Sequence, residues 1–179
     1  MKRWQLCTAL GLAFAVIAVL GNAAPAAPPS PITGTTPSGG TFTLRVRVTS
    51  GGGACESLRL RLKDDRAASR SCQPRRGTGA HGLWHAACTS GDLAVYGTAY
   101  ARGASAAFRT RSRRIVRAQT RPFGGRKLFV VIVGRSDLPG RLRVRRSDGR
   151  TLAKLDFGTM AQLCGGSAKG TPLDASYSF

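Results

Sequence analysis

Thr41-Phe42-Thr43-Leu44-Arg45-Val46-Arg47-Val48-Thr49 is the stretch whose reading decides the fold class. Phe42, Leu44, Val46 and Val48 share one parity, and threonine and arginine occupy the other. A period of two places one row of side chains in a core and the other in water, which is a half-buried strand. Gly51-Gly52-Gly53 ends it.

The same pattern recurs along the chain. Leu58, Leu60 and Leu62 alternate with Arg59, Arg61 and Lys63, and Asp64-Asp65 opens a loop carrying Cys72, Pro74 and Gly77. Leu93–Ala101 is a third strand, with Gly97 marking a bulge or a close backbone approach. Ala106–Ala118 is a fourth, bent near Arg113-Arg114. Leu128–Val133 is apolar without interruption and rich in β-branched residues, as expected of a central strand buried on both faces. Leu138-Pro139-Gly140 turns the chain, Leu142 and Val144 alternate with Arg141, Arg143 and Arg145, and Asp148-Gly149 signals a hairpin into Leu152–Phe157. Thr159–Leu163 is the one hint of a helical turn, and Thr171–Phe179 alternates once more. Seven or eight short strands separated by turn residues predict an all-β protein. The expected architecture is an antiparallel β-sandwich of immunoglobulin-like type.

Upstream of these strands, Lys2-Arg3 precedes an apolar run of 15 residues, Leu6–Leu20, followed by small residues to Ala27. That order is the mark of a secretory signal peptide over 1–26, with Ala24 and Ala26 at the cleavage site. The run is short of the ~20 residues that span a bilayer. Residues 27–40, rich in Pro, Ser, Thr and Gly, read as a flexible leader, and 41–179 as one domain. The expected location is periplasmic or extracellular, with no transmembrane helix in the mature chain.

Export changes the reading of the cysteines. Cys7 is discarded with the signal, and Cys55, Cys72, Cys88 and Cys164 read as two disulfides. Among three possible pairings the preferred one is Cys55–Cys72, a local staple, with Cys88–Cys164, a long-range tie. No C-x-x-C pair suggests zinc. No metal or cofactor is expected.

The chain carries 28 Lys+Arg against 8 Asp+Glu, a formal charge of +20, and still +18 without Lys2 and Arg3. A charge of this size repels itself in a compact state and favours polyanionic partners. Export excludes ribosome or nucleoid binding as the simple explanation. No zinc finger, RNA-recognition signature or helix-turn-helix points to specific nucleic acid. The expected partner is an anionic polymer or an acidic protein at the cell envelope. The Arg, Ala and Gly content also fits a GC-rich bacterial genome, which does not account for the scarcity of acids.

The basic residues lie on the polar parity of the strands. Arg45 and Arg47 occupy one strand and Arg59, Arg61 and Lys63 the next. Arg109, Arg111 and Arg113 occupy another, and Arg141, Arg143 and Arg145 a fourth. With Arg114, Arg117 and Arg121, the segment from Arg109 to Arg121 is the densest. If these strands share a sheet, like charges face each other at a cost of up to ~1 kcal/mol per pair. A bound polyanion relieves that repulsion. The plainer reading is a solvated arginine face whose aliphatic stems cover apolar surface.

Other signals are weaker. His81 and His85, spaced by four around Gly82, form a poor start to a metal site, and Trp84 between them reads as core. Trp84, Tyr96 and Tyr100 offer an aromatic platform for sugars or, more simply, core side chains. Ser, His and Asp are all present, but no Gly-x-Ser-x-Gly elbow exists, so a small secreted hydrolase with a scattered active site is the enzymatic alternative.

Tyr177-Ser178-Phe179, closing an alternating segment, resembles the last strand of bacterial outer-membrane β-barrels. The resemblance covers only Thr171–Phe179 and implies a barrel. Short strands, missing aromatic girdles and outward arginines oppose it, and Pro172 suits an edge strand. The sequence as a whole predicts an exported, disulfide-bonded, non-catalytic binding or structural module.

Overall fold

An apolar strand without polar interruption needs cover on both faces, and Leu128–Val133 receives it from two different sheets. The computed structural model describes residues 29–50, 53–73, 83–99, 104–123, 126–164 and 173–178. The expected signal segment, His81 and Tyr100 lie outside the described residues.

In chain order the strands are β1 Ile32–Thr35, β2 Thr41–Val48, β3 Ala54–Arg61, β4 Arg66–Gln73, β5 Leu83–Cys88, β6 Asp92–Ala99, β7 Ser105–Arg109, β8 Ile115–Arg117, β9 Gln119–Phe123, β10 Arg126–Gly134, β11 Gly140–Arg145, β12 Thr151–Phe157 and β13 Leu173–Ser178. A 3₁₀ turn, Arg135–Asp137, follows β10, and one short helix, Met160–Cys164, follows β12. The strands form three antiparallel sheets: a meander β1-β2-β3-β4, a central sheet β13-β5-β6-β10-β9, and a third sheet β12-β11-β7-β8.

Parity in the central sheet assigns its two faces. Trp84, Leu93, Val95, Phe129, Val131 and Val133 pack against Phe108, Leu142, Val144, Leu155 and Phe157 of the third sheet. Ala87, Ala94, Tyr96, Leu128 and Val130 pack against Phe42, Leu44, Val46, Leu58 and Leu60 of the meander. Each large apolar side chain so buried contributes roughly 1.5–3 kcal/mol. Every residue of β6 is buried, because both of its faces are covered.

The all-β class is as expected from the sequence, but the described residues form thirteen strands in three sheets, more than the seven or eight expected, and the arrangement does not confirm an immunoglobulin-like sandwich. Five strands add to the eight expected: β1, β4, β5, β8 and β9. β1 forms within the segment read as a flexible leader and buries Ile32 at the meander's edge. A turn at 36–40 follows, tied to the central sheet by the Ser38 N–H, which donates to the buried Asp92 carboxylate at 3.2 Å. β4 forms where a loop was expected, and Ala106–Ala118 is a hairpin of β7 and β8, not one bent strand.

Both preferred disulfides are formed. Cys55–Cys72 joins directly opposed residues of β3 and β4, and Cys88–Cys164 ties the end of β5 to the short helix 76 residues later. The Asp148-Gly149 hairpin joins β11 to β12, with Gly149 at φ +83°, a conformation that a residue without Cβ adopts at no steric cost. Gly140, at the start of β11, sits where a Cβ would collide with the Phe108 ring and the Arg109 carbonyl.

Candidate polyanion interface

Six of the eight acids are buried or hold a partner, and Asp64 is exposed in the β3–β4 turn. Glu56 is fully buried on the inner face of β3, and Asp92 is fully buried at the start of β6. Asp137 accepts both bonds of the Arg114 guanidinium, at 2.8 and 2.9 Å, and a third from the Gly134 N–H. Asp65 accepts the Ser90 N–H at 2.6 Å, and that bond holds its carboxyl below the usual range. Asp148 sits by Arg146 in the hairpin. Asp156 pairs with Arg141, and its carboxyl is held low by that bond first, then by the charges of Arg141, Lys154 and Arg143. Most arginines of the two outer sheets are left without a described carboxylate in ion-pair range.

Those arginines fall on two faces. The meander presents Arg45 and Arg47 from β2, Arg59 and Arg61 from β3, and Arg66 and Arg70 from β4, all exposed. The third sheet presents Arg109 from β7, Arg117 from β8, Arg141, Arg143 and Arg145 from β11 and Lys154 from β12. Because the central sheet lies between them, the four arginine-bearing strands expected from the sequence divide into two opposite faces.

Register decides how much the charges repel. On the meander the cross-strand rows are Arg45–Ser57–Arg70, Thr43–Arg59–Ala68, Arg47–Cys55–Cys72 and Thr41–Arg61–Arg66. Small neutral residues separate the guanidinium groups in every row but the last. On the third sheet Arg109 opposes Arg141, whose other neighbour is Asp156, and Arg143 opposes Lys154. Like charges therefore meet at three positions, together costing up to ~3 kcal/mol, less than uniform opposition would.

The third sheet carries the more developed site. A groove of about 600 Å³ has a floor of small residues, among them Ala104, Ser105, Ala107 and Ala118. Its charged lining is Arg109, Arg113, Arg117, Lys127, Arg143 and Arg145, with no carboxylate. The Lys127 ammonium donates to the Ala104 carbonyl at 3.0 Å, which fixes one rim. Ile115, 63% exposed, adds an apolar contact. On the meander, Arg45, Arg59 and Arg61 line a smaller hollow of about 330 Å³ with Thr41, Thr43 and Ser57, and Arg59, Arg61, Lys63 and Arg66 line a more open one of about 880 Å³ that they share with Asp64 and Asp65.

Arg111 and Arg113 are not strand residues, as the sequence pattern suggested, but belong to the β7–β8 turn. The turn is closed by the Thr110 N–H donating to the Arg114 carbonyl at 2.9 Å and the Arg113 N–H donating to the Thr110 carbonyl at 3.0 Å. Arg113 holds φ +66°, the only described non-glycine residue at positive φ. This conformation costs a side chain with a Cβ roughly 1–2 kcal/mol, yet the position holds an arginine that lines the groove. Arg114 is committed to Asp137, Lys63 lies in the β3–β4 turn, and Arg121 stands on β9 at the edge of the central sheet, apart from the groove.

Sequence reasoning missed Arg66, Arg70, Lys127 and Lys154. β4 shows no apolar alternation because its inward residues are Ala67 and Ser69, and Ser69 accepts the Tyr96 hydroxyl at 2.6 Å. A large side chain at 69 would displace that tyrosine.

The other candidates resolve into core. Trp84 and Tyr96 are buried on opposite faces of the central sheet, so they form no sugar platform. His85 is buried 5.4 Å from the Tyr96 ring. Among the described residues no group of three His, Cys, Asp or Glu side chains is placed to hold a metal, and no helix is long and apolar enough to cross a membrane. The C-terminal alternation forms β13, paired with β5 at the central sheet's edge. A barrel in lipid needs apolar outer residues, whereas the outward residues of both outer sheets are mostly arginine, threonine, serine and other polar residues, and the apolar ones fill two cores. No family model, curated protein or solved structure matches the chain.

Proposed function

We propose that this is an exported, non-catalytic module, released by cleavage of a signal peptide over 1–26, that binds an anionic polymer of the cell envelope or extracellular space. The observation that carries the reading is the third-sheet groove, with six cationic side chains and no carboxylate in its lining. Arginine outnumbers lysine 23 to 5 in the chain. Its planar, always-charged fork binds phosphate and carboxylate groups through two parallel hydrogen bonds, which a lysine cannot do. The strained Arg113 supports the reading further, since strain retained in a site lining has a use there. Two disulfides suit an oxidising compartment.

The test is salt elution from a heparin resin, compared with a cation-exchange resin of equal charge density. Retention well above physiological salt on heparin, reduced in an Arg109→Gln/Arg143→Gln/Arg145→Gln variant, is the expected result. Elution of the unaltered protein near physiological salt contradicts the reading, because multi-site anion contacts give steep salt dependence.

A further inference from the structure

We infer that the protein is bivalent: its two outer faces each hold a separate segment of a linear phosphate-bearing polymer, so that one molecule cross-links two chains. The inference rests on the polyanion reading above and adds to it the number and placement of sites. The central sheet separates the two basic faces, one on the meander and one on the third sheet. Sheets stack about 10 Å apart, so the outer backbones lie roughly 20 Å from each other. That exceeds the Debye length of about 8 Å at physiological ionic strength. Occupation of one face therefore leaves the field of the other almost unchanged, and the two bind independently.

Each face is built for a chain rather than a single ion. Basic positions recur at every second residue, about 6.7 Å along a strand, in Arg45–Arg47, Arg59–Arg61 and Arg141–Arg143–Arg145. Rows of small residues run between them, so a narrow polymer reaches the sheet surface without steric conflict. A lipid surface is a poorer fit. Among the described residues the exposed large apolar side chains are Val48 and Ile115, which lie on different sheets and offer no inserting patch.

The experiment uses red and green beads, each coated with long-chain inorganic polyphosphate, with mixed-colour pairs counted by flow cytometry. The unaltered protein is compared with three variants that each lose four charges. One is altered on the meander (Arg45→Gln, Arg59→Gln, Arg61→Gln, Arg70→Gln). One is altered on the third sheet (Arg109→Gln, Arg117→Gln, Arg143→Gln, Arg145→Gln). One is split between the faces (Arg59→Gln, Arg61→Gln, Arg143→Gln, Arg145→Gln). All these positions are exposed or half-exposed, glutamine keeps part of the aliphatic stem, and unchanged thermal melting verifies the fold.

Mixed pairs are expected to rise and then fall with protein concentration, as excess protein caps each chain separately. Both one-face variants should still coat single beads while losing mixed pairs at least tenfold, and the split variant should lose fewer. Equal bridging by all three variants overturns the inference, since it means charge neutralisation or one chain wrapping the whole domain. Coating by the unaltered protein without mixed pairs overturns it too and leaves the parent reading standing. No coating at all overturns both.

Discussion

Replacing Glu56 by glutamine tests the inner construction of the protein with a defined sign and size. Glu56 lies on the inner face of β3, fully buried, opposite the central sheet. Burial pushes its carboxyl up from 4.5 to about 7, against the smaller opposing effects of the nearby Thr98 hydroxyl and the Arg126 charge. In the unfolded chain the group ionises near its ordinary value. Between pH 4.5 and 7 the folded state therefore keeps a proton that the unfolded state has lost, and stability falls as pH rises through that window. Two and a half units at 1.36 kcal/mol each amount to about 3 kcal/mol. Above pH 7 both states are ionised and the loss is complete.

Glutamine has the shape of the protonated acid and no titration. Urea unfolding under non-reducing conditions, run from pH 4 to pH 8.5 on both proteins, isolates the effect, because every other titrating group cancels in the difference. The Glu56→Gln variant should match the parent near pH 4.5 and exceed it by about 3 kcal/mol at pH 8. For a chain of this size that is roughly 6–12 °C in melting temperature. A difference independent of pH refutes the reasoning, since it means that Arg126 and Thr98 hold the carboxylate ionised throughout.

Three further outcomes follow from the same geometry. Cys88→Ser with Cys164→Ser opens a loop of 76 residues and should cost about 4.5 kcal/mol by chain entropy, read by non-reducing urea titration. Gly140→Ala drives a Cβ into the Phe108 ring and the Arg109 carbonyl and should cost ~1–3 kcal/mol, read by thermal melting. Arg113→Asn places a residue that tolerates left-handed backbone at φ +66° and should gain about 1 kcal/mol of stability while weakening polyphosphate binding. A gain in stability with unchanged affinity would remove Arg113 from the site.

Where the sequence spoke clearly, one physical constraint acted alone. Phe42 to Val48 alternate because only one face of β2 meets a core, and Gly149 marks its hairpin because the turn needs positive φ. The disulfide pairing was not fixed by the sequence, which permits three; the preferred one formed because Cys55 and Cys72 lie directly opposite each other across the β3–β4 hairpin. The third sheet was implied without being drawn. Leu128–Val133 read as buried on both faces, and two sheets cover only one face of each, so an all-β chain with such a strand needs a third.

β4 stayed hidden because its inward residues are small to admit Tyr96. Arg111 and Arg113 read as strand residues because a five-residue turn preserves the parity of the arginines around it. The division of the basic residues between two faces was not legible, since it depends on which strands pair, and pairing is a long-range property of the whole chain.

The most direct measurement is the affinity for long-chain polyphosphate as a function of salt from 50 to 200 mM. With about six contacts on a face, log K should fall with log salt at a slope of about −4, a loss of 10²–10³-fold over that range. The third-sheet variant and the meander variant should each leave binding at the other face, so polymer occupancy at saturation should halve. A slope near zero, or saturation occupancy unaffected by either variant, would contradict the account.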